Sequence, residues 1–110
     1  MKKIVYFLFP FLFLACTPKE KPVNDLLNGK NRLTAEDGKK LFFRNCSTCH
    51  GTDGTLGFSG AKDLSVSTLK DDEIIEMIIN GKNGMMPYKT ILKTDEERRV
   101  VKDFVKTLRQ

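Results

Sequence analysis

Residues 46–50 read Cys46-Ser47-Thr48-Cys49-His50, the pattern C-x-x-C-H that attaches a c-type haem. Two thiols at this spacing can each add to one vinyl group of the same porphyrin. The adjacent imidazole then lies under the iron and can bind it. His50 is the only histidine of the chain. The opposite axial position therefore takes a different ligand or stays open. Two other uses of the motif fit less well. A zinc ion wants four ligands, and beyond Cys46, Cys49 and His50 only acids and Cys16 remain. A thioredoxin-like dithiol needs a preceding strand in a βαβ context, whereas a helical pattern precedes Cys46.

That pattern is the first of three. A helix is expected from Thr34 to about Asn45, with Asp37 completing a capping box and Leu41, Phe42 and Phe43 leading into the motif. Gly38 lies inside it at a cost of nearly 1 kcal/mol against alanine, which suggests that something packs closely there. A second helix is expected over about Lys70 to Asn80. Asp71, Asp72 and Glu73 favour its N-terminus, Ile74, Ile75, Ile78 and Ile79 form its apolar stripe, and Gly81 stops it. Met77 on this helix reads as core. A third helix opens with the capping box Thr94-Asp95-Glu96-Glu97 and buries Val100, Val101, Phe104, Val105 and Leu108 at helical spacing. No segment alternates like a strand, so the fold class is all-α.

The order of these features resembles a class I mono-haem cytochrome c. Gly38 with Phe42, the Cys46–His50 motif, the segment Asn80-Gly81-Lys82-Asn83-Gly84-Met85-Met86-Pro87, and Phe104 on the last helix match the family in sequence. The resemblance covers about Thr34 to Leu108. It implies a small cytochrome c fold, three main helices wrapped round one covalently attached haem c. It implies a close crossing of the first and last helices at Gly38, beside Phe42 and Phe104. It implies Cys46 and Cys49 as haem attachments, and His50 and Met86 as axial ligands. Phe42, Leu64 and Pro87 would line the pocket. A thioether is a soft neutral ligand, and a His/Met pair raises the reduction potential. Met85 is the rival to Met86, and both could instead fill the pocket. One position departs from the family: Lys62 stands where a proline is often found, whose carbonyl accepts the proximal histidine's second N–H. A carbonyl near Ala61 or Lys62 can still orient His50. Gly51 to Gly57 is expected to be a flexible loop near the haem edge.

The front of the chain concerns location. Lys2 and Lys3 precede an apolar run from Ile4 to Ala15, too short to span a membrane and suited to a secretory signal. It ends in Phe13-Leu14-Ala15-Cys16, which resembles the lipobox of bacterial lipoproteins, with Phe13 where leucine is usual. Residues 1–15 are thus expected to be a lipoprotein signal peptide and Cys16 the acylated residue. More than one acyl chain gives stable anchoring at about 0.8 kcal/mol per buried methylene. The three cysteines are then all used, two by haem and one by lipid. Residues 16–33 read as a lipidated N-terminus and tether, with an r.m.s. reach on the order of 20 Å. Residues 34–110 form the haem domain. Its core would be small without a large apolar macrocycle at the centre.

Charge says less. The chain carries 19 basic and 14 acidic residues, a net of +5. Basic residues are spread out and no aromatic–basic cluster appears, which argues against nucleic acid as a partner. Lys39, Lys40, Lys62, Lys82, Lys89 and Lys93 could ring a docking face for an acidic partner or be ordinary solvated lysines.

The expectation is a membrane-tethered one-electron carrier of a respiratory chain, a monomeric domain on the exported side of a bacterial membrane, with no enzymatic chemistry of its own. A quinol-oxidising complex or dehydrogenase would be the donor, and a terminal oxidase or reductase the acceptor. Two alternatives stand beside it. One is a dedicated haem subunit of a larger oxidase or dehydrogenase. The other is a sensor or peroxidase-type protein with an open sixth site. Against the latter, Arg44 lies before the motif, Arg98 and Arg99 lie on the last helix, and no second histidine exists.

Overall fold

The computed structural model describes residues 32–110. The expected signal peptide, Cys16 and all but the end of the expected tether lie outside the described residues. The elements are α1 (Ala35–Asn45), α2 (Ser47–His50), a 3₁₀ turn (Phe58–Gly60), α3 (Asp71–Asn80) and α4 (Asp95–Thr107). The three expected helices are present. A fourth, α2, is added, because the haem motif itself coils into one turn. Among the described residues there is no strand, only an isolated bridge between Lys82 and Met85. No described helix is long and apolar enough to cross a membrane.

Local chemistry sets the helix starts. The Thr34 hydroxyl accepts from the Asp37 N–H at 3.3 Å while the Asp37 carboxylate accepts from the Thr34 N–H at 2.8 Å. Thr94 and Glu97 repeat this reciprocal pair on α4, at 3.1 and 2.9 Å. The Glu73 carboxylate accepts from the Lys70 N–H at 2.7 Å and so caps α3. Each pair satisfies N–H groups that a helix end leaves without partners.

The frame is the crossing of α1 and α4. A Cβ on Gly38 would lie 2.2 Å from the Val100 carbonyl oxygen, so only glycine lets the backbones approach this closely. Beside the crossing, the Phe42 and Phe104 rings stand 5.1 Å apart and the Phe43 ring meets Phe104 edge-on at 5.9 Å. The buried core is Phe42, Ile74, Ile78, Leu92, Val101 and Val105, with Cys46, Leu64 and Tyr88 partly buried against it. Phe104 and Leu108 are half-buried against the same cluster. Met77 is half-buried and outside this core, a correction to its expected place. The α3 stripe turns Ile74 and Ile78 inward, leaving Met77 at its margin.

Charged groups tie α3 to α4. Asp71 accepts from Lys102 at 2.8 Å and also from Lys106. These bonds, Lys102 foremost, hold its carboxyl down at about 2. Arg98 is buried and donates to the Leu92 carbonyl and to Asp95. Arg99 pairs with Glu96 and Asp103 along its own helix.

Candidate haem site

The motif occupies the corner where α1 ends. Cys46 closes α1, its N–H donating to Phe42, and at once opens α2. The Cys46 carbonyl then accepts from the N–H groups of Cys49 at 3.1 Å and His50 at 3.0 Å. Both cysteines are free thiols, Cys46 half-buried and Cys49 exposed. Burial, with Cys49 adding to it, pushes the Cys46 thiol up to about 12. Both sulfurs thus flank one short turn, with the His50 imidazole directly after it.

The His50 ring is held from one side. Its Nδ1 lies 3.0 Å from the Lys62 carbonyl oxygen. A carbonyl only accepts, so this nitrogen carries the proton and donates, leaving the Nε2 lone pair for a metal. Of the two acceptors left open by the sequence, Lys62 is the one used. A backbone carbonyl needs no particular side chain, so the lysine in place of proline is no obstacle.

The segment that brings Lys62 there is bonded throughout. The Leu56 N–H donates to the His50 carbonyl at 2.9 Å, and Leu64 donates to Gly54 at 2.8 Å. The Asp53 carboxylate accepts from the N–H and hydroxyl of Thr55, which hold its carboxyl below the usual range. Gly54 is buried at φ +84°, and a Cβ there would lie 2.9 Å from Cβ of Leu64. The expected flexible loop is therefore an internally bonded turn. It seats Leu64 against the core.

On the other side, Gly81 ends α3 at φ +64°, and a Cβ on it would lie 2.1 Å from the Met85 carbonyl oxygen. The chain folds back on itself there, and the Met85 N–H donates to Lys82 at 3.0 Å. Met85 is half-buried, whereas Met86 is 56% exposed and Pro87 is exposed beside it. The two methionines thus face different surroundings. Phe42, by contrast, is 0% exposed and sits in the α1–α4 crossing. The six lysines Lys39, Lys40, Lys62, Lys82, Lys89 and Lys93 are all exposed.

Sequence reasoning missed Tyr88. Its N–H donates to the Ile78 carbonyl at 2.9 Å, and its hydroxyl donates to the Asn45 carbonyl at 2.8 Å. Burial, with both motif thiols adding to it, raises the phenol above its usual range, so it remains a proton donor. The only signal was an aromatic directly after Met86-Pro87.

The donor set fits a covalently attached haem: two free thiols on one turn, and an imidazole whose Nδ1–H donates to a carbonyl and so leaves Nε2 for the iron. The comparisons agree. Residues 33–105 match the family described as cytochrome c oxidase, cbb3-type, subunit III. Among solved structures, the chain is similar to one described as the KustC0563 c-type cytochrome. The two share 34% identity with a TM-score of 0.61, over 67% of this chain and 99% of that one. No curated protein sequence matches.

Proposed function

The chain belongs to the cytochrome c family so described, a mono-haem c-type cytochrome with covalently bound haem c, and we propose that it is a membrane-tethered one-electron carrier of a respiratory chain. When bound, the haem supplies a one-electron iron couple. Cys46 and Cys49 would form its two thioethers. His50 and Met86 would ligate its iron, with Phe42, Leu64 and Pro87 lining the pocket. The observation that carries this reading is the His50–Lys62 contact of 3.0 Å. It fixes the imidazole before any electron moves, so oxidation and reduction need little reorganisation. A soft Met86 thioether on that iron would favour the reduced state relative to harder ligands. No substrate-transforming group is needed, and we assign no enzymatic activity.

Cys16 carries the lipid, and residues 1–15 are removed as a signal peptide. The domain of residues 34–110 then works in the periplasm or on the outer-surface side of a bacterial membrane. Its partners are a quinol-oxidising complex or dehydrogenase and a terminal oxidase or reductase. One observation favours a second reading, a fixed haem subunit of an oxidase: the matching family is described by such a subunit. A stoichiometric complex surviving mild detergent extraction would support that reading over the mobile carrier.

Three single substitutions test the assignment in an expression host competent for haem attachment. Cys46→Ala and Cys49→Ala should each lose one thioether, seen by a pyridine haemochrome shifted by the vinyl group left unreacted. Cys16→Ser should move the protein from the membrane to the soluble fraction. Two-thioether haem in either of the first variants would refute the attachment site. Membrane retention of the third would refute the lipid anchor.

A further inference from the structure

One side chain near the site has no role in the assignment so far. Tyr88 lies two residues beyond Met86, and it ties that segment to the attachment motif. Its hydroxyl donates to the Asn45 carbonyl at 2.8 Å, across 43 positions of sequence. Asn45 is the last residue of α1 and immediately precedes Cys46. Its carbonyl belongs to the group that a helix end leaves without intrahelical partners. The Cys49 N–H, which would continue the ladder to Asn45, donates to Cys46 instead. Tyr88 therefore fills a position that the motif's own tight turn leaves open.

The backbone of Tyr88 is equally committed. Its N–H donates to Ile78 near the end of α3 at 2.9 Å, and its carbonyl accepts from Leu92 at 2.8 Å and Ile91 at 3.0 Å. Leu92 is 1% exposed and anchors the following turn in the core. Upstream, Gly81 closes on the Met85 carbonyl. Met86 and Pro87 thus form a short exposed span fixed at both ends. Of the tethers on its downstream side, only the Tyr88 hydroxyl reaches the turn that carries both cysteines and His50.

We propose that Tyr88 is the positioning residue for the sixth ligand, its hydroxyl bond to Asn45 holding the Met86 segment at fixed distance from the Cys46–His50 turn. This rests on Met86 being that ligand. Loss of the hydroxyl should leave the haem attached and let the Met86 segment swing away more readily, so that an added ligand competes better for the iron.

The test compares the haem-loaded wild type with Tyr88→Phe, Met86→Ala and the double variant. Imidazole affinity of the oxidised protein is measured alongside urea unfolding. Phenylalanine keeps the ring and removes only the hydroxyl. One hydrogen bond of ordinary net worth corresponds to roughly tenfold in affinity. We expect Tyr88→Phe to bind imidazole roughly tenfold more tightly than wild type. Met86→Ala should bind more tightly still, and the double variant should equal Met86→Ala. If Met86→Ala opens the site but Tyr88→Phe binds imidazole as wild type does, the positioning role is wrong while the ligand assignment stands. A lower urea midpoint with unchanged imidazole affinity would likewise reduce Tyr88 to a structural part and overturn the proposal. If Met86→Ala itself leaves affinity unchanged, the ligand assignment fails and the proposal with it.

Discussion

At the scale of single residues, two side chains owe their state to one or two bonds each. His50 is oriented by one backbone carbonyl 3.0 Å away. That acceptor was only bracketed in advance, since any residue could have supplied it. Asp71 is the clearest electrostatic case. Bonds from Lys102 and Lys106 hold its carboxyl at about 2, below an ordinary value of 3.8. A carboxyl lowered by folding stabilises the fold above its ordinary value, and this contribution is lost as pH falls through the lowered one. Wild type should therefore lose stability between 3.8 and about 2 more steeply than Asp71→Asn. Urea midpoints across that range check it, and parallel curves would show that the α3–α4 pair contributes nothing. Asp71 and Lys106 are exposed to solvent, so salt should weaken the difference.

Among the elements, the crossing of α1 and α4 decides the architecture. Gly38 was legible as an anomaly, a poor helix former in a helix. The structure supplies the reason, since a methyl there would meet the Val100 carbonyl at 2.2 Å. Backbone atoms cannot rotate away as a side chain can. Gly38→Ala should therefore destabilise the domain by about 1–3 kcal/mol, despite a helix-propensity gain of nearly 1 kcal/mol. Thermal or urea unfolding measures this, and a more stable variant would show that the crossing is not tight. The capping boxes at Thr34 and Thr94 were equally legible, because each lies within four consecutive residues. The one-turn helix α2 was not, being too short to show a period. Nor was the bonding of Gly51 to Leu64, where glycines that suggest freedom serve instead to turn the chain closely against Leu64.

For the whole molecule, what the sequence carried was the chemistry of its motif and the order of three amphipathic segments. What it did not carry were contacts distant along the chain. The Tyr88 bond to Asn45 spans 43 positions, and a hydroxyl meeting a backbone carbonyl leaves no pattern in either segment. The full burial of Leu92 was invisible for the same reason, since it sits in a turn with no apolar period around it. These contacts join the two halves of the candidate site, the His50 turn and the Met86 span. With Met86 proposed as the sixth ligand, both halves would close on one iron and leave it six-coordinate. The most direct test is the visible spectrum of the reduced, haem-loaded protein before and after adding carbon monoxide. An unchanged spectrum is expected, with Met86→Ala, but not Met85→Ala, converting it to the CO-bound form. A prompt shift in the wild type would mean an open sixth position and would contradict the electron-carrier reading in favour of sensing or catalysis.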